Sequence, residues 1–394
     1  MSNSERTSCP VCGNCELNTF FDLPGVPTHC NVLLPTREQA LTVPRGNIRL
    51  AFCHTCGHIF NIAFDPELMA YTQQYENSLH FSPRFQEFAD ELAEGLTHRY
   101  TLQNKVIVDV GCGKGDFLRL MARNGSNRCY GFDPSYVPTP EDEQQQEITF
   151  VQDFYSEKYS EYQADLICCR HVLEHIQEPR AFLADIRRSM LAGDSSVVYF
   201  EVPNALFSLR DLSVWDIIYE HCGYFTPNSL IRLFADSGFE ILRQEEAYGG
   251  QFISLEATLP QNHNGHAPSS DWTIRHLEQL TIDFSQRYRE KLTYWTYMLE
   301  ELEEQDQRVV LWGAGSKGVT FLNANPAKNS IAQVVDINPR KQGMFTAGTG
   351  HQIVSVESLQ EHRPDVVLVM NRLYESEIRQ MLRDSAPNAE ILVV

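Results

Sequence analysis

Residues 106 to 117 read "VIVDVGCGKGDF", an apolar run interrupted by Asp109 and followed by glycine at 111, 113 and 115. A buried parallel strand that ends in a glycine-rich turn lies at the carboxyl edge of an α/β sheet. There the missing side chains let a ligand approach the backbone. The spacing is G-x-G-x-G, tighter than the G-x-G-x-x-G of a dinucleotide fingerprint. Eighteen residues past Gly115, "YGFDP" ends a second strand with Asp133, placed to accept hydrogen bonds from a ribose diol. "VQDF" then sets Asp153 and Phe154 after a third strand, where they can meet an adenine amine and its face. Arg170, which closes "ADLICCR", is grouped with the same ligand site. The loop alone says little; the loop, the acidic strand end and the acid–aromatic pair together point to one nucleoside-bearing ligand.

Outward from that loop, residues 105 to about 258 alternate strand-like runs with amphipathic stretches. "KVIVDVG", "RCYGFDP", "ITFVQD", "ADLICCR" and "SSVVYFEVP" are the runs, with "DFLRLMARNG" among the helical segments. That rhythm predicts parallel βαβ units in a doubly wound sheet. Before it, "FSPRFQEFADELAEGL" spaces Phe85, Phe88, Leu92 and Leu96 as one helix face. After it, "LPQNHNGHAPSS" reads as a linker. A long helix then places Leu277, Leu280, Phe284, Tyr288, Leu292, Trp295 and Leu299 on one side, to pack between domains. From residue 307, "RVVLWGAG", "AQVVDINP" and "PDVVLVMN" begin a second α/β unit. The expected division is residues 1–65, 66–258 and 259–394.

The chain has 394 residues, enough for two or three domains. Its formal charge of −20 repels phosphate backbones and anionic lipid, so nucleic acid and membranes are poor partners. An anionic small substrate would need a local basic pocket. No apolar run spans a bilayer, and "MSNSERTSCP" lacks the apolar stretch of a secretory signal. The expected setting is the reducing cytoplasm, because the 11 cysteines form no small secreted framework, and the expected state is a monomer or weak dimer.

Four of those cysteines form two knuckles, "CPVCG" at Cys9 and Cys12 and "CHTCGH" at Cys53 and Cys56. Each offers two thiolates from a tight turn followed by glycine, as a tetrahedral Cys₄ zinc site requires. The other readings are a redox pair or chance. A redox C-x-x-C sits at a strand-to-helix turn, which neither knuckle does. Cys15, His54 and His58 are spare donors. Four protein ligands would make the site structural, with no open position for catalysis.

"SVWDIIYEHCGYFTP" is the most unusual segment, with Tyr219, Glu220 and His221 in succession and Tyr224 three further on. A histidine beside a carboxylate can serve as a general base, and tyrosines can polarise a carbonyl. The plainer reading is a loop whose polar residues solvate a helix start.

The motifs from about 105 to 258 resemble, in order, those of the class I S-adenosylmethionine-dependent methyltransferases. "CCRHVLEHIQEPRAFL" looks like that family's segment after the fourth strand. The resemblance implies a seven-stranded sheet with S-adenosylmethionine across its first two strands. Over nearly the full chain, including "GAGSKGVTFLN", "VVDINPRKQG" and "RPDVVLVMN", the architecture resembles the bacterial C-methyltransferases that act on nucleotide-linked keto-deoxysugars. The implied fold class is α/β: a small zinc-binding module, a class I methyltransferase Rossmann-like core and a C-terminal Rossmann-like domain. In that family a histidine removes a proton beside a ketone and the enolate takes the methyl group. The match would make His221 the base, assisted by Glu220 and Tyr219, with His175 and Tyr75 as further members and Tyr224 contacting substrate. The family's Tyr-His-Glu-His stands here as Tyr-Glu-His, one residue short or shifted onto Ile218.

A second glycine loop competes for the cofactor. "VVLWGAGSKG" (309–318) completes G-x-G-x-x-G with Gly313, Gly315 and Gly318, and Asp336 follows eighteen residues later. On its own it says nicotinamide-dependent oxidoreductase. The fuller support around the first loop leaves this one for the nucleotide end of the substrate, where Ser316 and Lys317 could meet a diphosphate. It could equally be a turn that only packs helix on strand. Transfer of the methyl group to oxygen or nitrogen of a sugar or other small molecule, or a zinc-bearing scaffold without turnover, are the remaining readings.

Overall fold

The structure is a computed structural model and describes residues 5–69, 74–139, 142, 146–159, 161–190, 196–260 and 271–394. The stretch read as a linker lies outside the described residues apart from Leu259 and Pro260.

The chain opens with β1 (Leu17–Pro27), α1 (Arg37–Leu41), β2 (Arg45–Cys53) and β3 (Ile59–Asn61). The middle region comprises α2 (Pro83–Arg99), β4 (Val106–Val110), α3 (Asp116–Gly125), β5 (Arg128–Phe132), β6 (Ile148–Val151), β7 (Leu166–Arg170), α4 (Pro179–Ser189) and β8 (Val197–Pro203). It ends with α5 (Ala205–Leu209), β9 (Gly223–Tyr224), α6 (Pro227–Asp236), β10 (Glu240–Ala247) and β11 (Phe252–Thr258). The last region holds α7 (Ile274–Glu304), β12 (Val309–Trp312), α8 (Ser316–Ala324), β13 (Ile331–Val335), β14 (Ile353–Val354), α9 (Leu359–His362), β15 (Val366–Val369), α10 (Glu375–Ser385) and β16 (Glu390–Val393).

The middle strands form one seven-stranded sheet in the order β10-β11-β8-β7-β4-β5-β6. Strands β6, β5, β4, β7 and β8 are parallel, whereas β11 runs antiparallel to both β8 and β10. This is the seven-stranded sheet that the resemblance implies. The sequence rhythm is right for its parallel part. The two antiparallel edge strands fall in "FEILRQEEAYGGQFISLEAT", where Glu and Arg interrupt the apolar pattern.

The C-terminal sheet has the order β14-β13-β12-β15-β16, all parallel. In both sheets the chain first winds to one side of a central strand and then to the other. Each glycine loop follows that central strand, β4 or β12. Both therefore sit at a topological switch point, where neighbouring loops part and leave a crevice.

The N-terminal sheet is antiparallel, β1-β2-β3-β9, so its fourth strand comes from residues 223–224. A two-residue strand carries no readable periodicity, and its position fastens the segment around His221 to the first module. Helix α7 is the spine. Leu277, Phe284, Tyr288, Trp295 and Leu299 are buried in one cluster with Phe21 and Ile48 of the N-terminal sheet and Val309 and Phe321 of the C-terminal unit. Leu280 and Leu292 pack half-buried against it. Burial of that many large apolar side chains, at about 1.5–3 kcal/mol each, makes the three regions cohere.

Candidate active site

One cleft of about 660 Å³ runs between the carboxyl ends of the two parallel sheets. The first glycine loop opens onto it through Gly111, Gly113 and Lys114, and the second through Gly313, Gly315, Ser316 and Lys317. Residues 77–82 border it as a strap between the two. The strap is held by Glu76, which accepts from Arg340 (3.0 Å) and Asn338 (3.1 Å), and by Ser82, which donates to Glu377 (2.8 Å).

All three glycines of the first loop have left-handed backbones, with φ of +74°, +56° and +82° at residues 111, 113 and 115. A Cβ on Gly111 would meet Val172 at 2.2 Å and one on Gly115 would meet Phe150 at 2.4 Å. A Cβ on Gly113 would meet nothing within 4 Å, so this glycine faces the cleft rather than protein. Asp133 accepts from Gly113 N (2.9 Å) and from Ser135 N (2.7 Å), which locks the loop to the end of β5. It stays half-exposed, with lone pairs left for a diol.

Phe154 presents its ring at 66% exposure. Asp153 accepts from Phe154 N (2.8 Å) and Tyr159 Oη (2.7 Å) and pairs with Lys158, and this bonding holds its carboxyl down at about 2. Its carboxylate is thus committed within the protein. Asp109 is buried at the base of the loop, and burial pushes its carboxyl up to about 7 despite nearby Arg170. Arg170 lies against Phe117 at 4.4 Å and donates to Glu201 at 3.0 and 2.8 Å. Burial would raise Glu201, but Arg170 and His171 hold it at about 2. An open glycine, a half-exposed acid, an exposed ring and a buried carboxyl that a cation would ionise fit a cationic nucleoside such as S-adenosylmethionine. The group brings an electrophilic methyl on a sulfonium.

Beyond that end of the cleft lie His171, Glu174, His175 and His221. His171 has φ +56°, which turns its ring edge-on to Phe252 at 4.4 Å, with Nε2 3.1 Å from Glu201. His175 donates from Nδ1 to the backbone carbonyl of Glu220 (2.8 Å), so Nε2 is its lone-pair nitrogen. The His175 and His221 rings meet edge to face at 5.0 Å. Burial lowers both, His221 well below the ordinary histidine value, so each ring is neutral near pH 7. Glu174 Oε1 and His175 Nε2 are 4.0 Å apart, wider than the ~3.3 Å that two bonds of about 2 Å to one zinc impose. Glu174, His175 and His221 keep their ligand atoms within 4.8 Å of one another, so a cation would have to draw them closer; as they stand they are spaced for proton chemistry.

The expected catalytic segment divides. Ile218 and His221 line the cleft; Tyr219, Glu220 and Tyr224 do not. Tyr219 accepts at its hydroxyl from Asp65 N (2.8 Å) and stacks on Phe64, in the packing under the N-terminal module. The buried Glu220 side chain accepts from Cys30 N (3.1 Å). Tyr224 donates to Ile218 O (2.8 Å) and accepts from Ile218 N (3.2 Å), clamping the turn that carries His221. Ile218 thus stands in the cleft where Tyr219 was expected. Tyr75 lines the cleft, half-buried. His171 and Glu174 went unnoticed in the sequence, although "HVLE" spaces them three apart on the turn after β7.

Around the second loop, Asp336 accepts from Ala314 N (2.8 Å) and Asn338 N (2.8 Å) and is only 8% exposed. Gly318 packs helix on strand, since a Cβ there would meet Gly313 O at 2.0 Å. Cβ atoms on Gly313 and Gly315 would meet nothing within 4 Å. Helix α8 starts without a side-chain cap. Lys317 is paired with Asp216 (2.6 Å), and Lys341 bonds Ala314 O (3.2 Å) and Asn31 (3.3 Å). Both lysines line the cleft.

Outside the cleft lining, Cys9, Cys12, Cys53 and Cys56 bring their sulfurs together, Cys9 to Cys56 at 3.6 Å and Cys12 to Cys53 at 3.5 Å. Tetrahedral ligands on bonds of about 2.3 Å sit roughly 3.8 Å apart, so the cluster could hold a metal ion. The knuckles share one geometry, with Gly13 N bonded to Cys9 O (2.8 Å) and Gly57 N to Cys53 O (2.9 Å). Of the spare donors, Cys15 is exposed, His54 faces Glu278, and His58 is packed on Phe60 and Phe225. Burial takes His58 down to about 3.

Residues 84–244 match the model of a methyltransferase domain family, and residues 271–394 match that of a C-methyltransferase C-terminal domain. Together these support an S-adenosylmethionine-dependent methyltransferase. No curated protein matches the chain. Among solved structures, the 1,6-didemethyltoxoflavin-N1-methyltransferase of Burkholderia thailandensis is 16% identical over 44% of this chain and 79% of its own, with a TM-score of 0.34. Magnesium protoporphyrin IX methyltransferase of Synechocystis is 20% identical over 45% and 84%, with a TM-score of 0.35. A SAM-dependent methyltransferase from Aquifex aeolicus is 14% identical over 45% and 94%, also at 0.35. Among the described residues no helix is long and apolar enough to cross a membrane.

Proposed function

We propose that this protein transfers a methyl group from S-adenosylmethionine to a carbon beside the ketone of a nucleotide-linked keto-deoxysugar. The observation that carries this is the single cleft joining the first glycine loop, the neutral histidine pair and the second glycine loop. In this reading Gly111, Gly113, Asp133 and Phe154 hold the donor, and Asp109 balances its positive charge. His221 removes the proton next to the ketone. His175, oriented by Glu220 through its backbone carbonyl, stands beside it to accept or relay that proton. Tyr75 borders the sugar.

The nucleotide end lies toward Gly313–Lys317. There the uncapped start of α8, Ser316, Lys317 and Lys341 supply N–H, O–H and cationic donors beside Asp216 and Asp336. Because Lys317 is paired with Asp216, an incoming diphosphate has to draw it away from that carboxylate. Zinc at Cys9, Cys12, Cys53 and Cys56 is structural, fixing the sheet whose last strand, β9, follows His221 directly. The protein acts in the cytoplasm, as a monomer or weak dimer.

The test is mass spectrometry of products formed from the donor and a panel of nucleotide keto-sugars in deuterated water. The expected result is one added methyl on carbon, with deuterium exchange at that carbon. A methyl group on oxygen or nitrogen would replace this reading with the corresponding transferase.

A further inference from the structure

Glu174 lies on the turn Leu173–His175 after β7, lines the cleft and is 2% exposed. Its Oε1 is 3.8 Å from His171 Nδ1 and 4.0 Å from His175 Nε2, and its buried Oε2 has no hydrogen-bond partner among the described residues. A buried carboxyl oxygen without a partner is rare enough to require a reason. Stability supplies none, because an apolar residue would fit the same place at lower desolvation cost. Its surroundings offer no cation in bonding contact: Arg170 is taken by Glu201, and the two nearest histidines are not within hydrogen-bond distance. Burial, with Glu201 nearby, pushes the carboxyl up to about 8, so at neutral pH Glu174 is a carboxylic acid with a proton to share.

We propose that Glu174 donates a hydrogen bond to the carbonyl oxygen of the acceptor and holds the negative charge that develops there when the neighbouring carbon loses its proton. This deepens, and rests on, the carbon-methylation reading above. The base takes the proton, and the C–H electron pair moves into the enolate, whose oxygen is steadied by the Glu174 O–H. The enolate carbon then bonds the methyl carbon as the methyl–sulfur bond breaks onto sulfur. The ketone re-forms, Glu174 keeps its proton, and the base's proton leaves to water. The site thus separates two roles, a base that must be unprotonated and an acid that must stay protonated. Groups whose values are driven in opposite directions mark such a division. Burial does so here, lowering the histidines and raising the carboxyl.

Three variants of the zinc-loaded full chain test this with S-adenosylhomocysteine affinity as the check on folding. Glu174→Ala should leave that affinity unchanged and lower kcat by about 10²-fold, the scale for loss of one oxyanion donor. Glu174→Gln keeps an N–H donor and should recover most of kcat, while the fall in activity above about pH 8 disappears, since an amide does not titrate. Glu174→Asp, with a shorter reach, should fall between them. Exchange of the substrate's α-proton in the presence of S-adenosylhomocysteine should slow in parallel, because it reports enolate formation without methyl transfer. Infrared difference spectra should show a protonated carboxyl band at pH 7 that is absent from Glu174→Gln. Equal loss in Ala and Gln, an unchanged pH profile in Gln, or full activity in Ala would overturn the role of Glu174 alone. Wild-type enzyme giving only oxygen or nitrogen methylation would overturn it together with the reading it rests on.

Discussion

The two glycine loops are built on one plan and differ in what their glycines are for. Each follows the central strand of a doubly wound sheet. In each, an aspartate at the end of the next strand accepts a loop amide on one oxygen and its own second-following amide on the other. In the first loop every glycine has positive φ, and two of the three also avoid a collision with a side chain. In the second only Gly313 does, at φ +109°; Gly315 is an ordinary extended residue and Gly318 lets helix meet strand. The second loop therefore matches the dinucleotide pattern more closely in letters, while the first has the fuller ligand site. Asp133 is half-exposed and an exposed ring stands nearby, whereas Asp336 is buried and the adjoining lysine is engaged with Asp216. A motif specifies a turn; the exposure of the groups around it specifies the ligand.

The largest expected effect breaks the reactive end of the first loop's territory. His221→Ala should lower turnover by about 10²- to 10⁴-fold, the range for loss of a general base, with donor affinity unchanged. Retained turnover, measured by product formation under donor saturation, would remove the histidine from the mechanism. Next, Gly113→Val puts a branched side chain at φ +56° and into the cleft. The side chain takes up space at the donor's edge of the loop, and where the free loop relaxes to shed about 1–3 kcal/mol of strain, binding must restore it, a loss of donor affinity of roughly 5- to 150-fold. A Cβ on Gly315 meets no protein atom and its φ is unstrained, so for Gly315→Val calorimetry should find donor affinity within about twofold and only acceptor KM raised.

A subtler effect concerns Asp109. With its carboxyl at about 7, it is partly protonated at neutral pH, and a cation placed beside it favours the ionised form. Donor binding should then release a fraction of a proton, seen as a binding heat that depends on the buffer's ionisation enthalpy. The effect should fade as pH rises well above 7 and vanish in Asp109→Asn. The smallest effect is that of Tyr219→Phe, which removes the bond to Asp65 N. It should cost about 1 kcal/mol of stability in thermal unfolding and leave kcat unchanged.

These contrasts mark what could be read from the chain. The parallel strands, the spine helix and the four cysteines were legible because each has a local signature: β-branched runs, a 3.6-residue stripe, two C-x-x-C turns. Asp133 and Phe154 could be placed beside the first loop because they follow their strands at fixed offsets, whereas the bonds that tie up Asp153 with Lys158 and Tyr159 have no sequence signature. Strand β9 was not, since two residues have no period. Tyr219 was misleading because adjacent residues on a turn face different ways, and of residues 218–221 Ile218 and His221 line the cleft. Glu174 and His171 were hidden by the positive φ at His171, which no residue type announces. The bonds from Glu76 to Arg340 and Asn338 span more than 260 positions, so the strap's latch exists only in the folded chain.

The central claim, that the first loop and not the second holds the cofactor, is tested most directly by titrating S-adenosylmethionine and NAD into the zinc-loaded protein in a calorimeter. Wild type, Gly113→Val and Gly315→Val should be compared side by side. The account predicts one-to-one binding of S-adenosylmethionine to wild type, weakened in Gly113→Val and kept in Gly315→Val, with no saturable NAD binding. One-to-one NAD binding that survives Gly113→Val and is lost in Gly315→Val would contradict it.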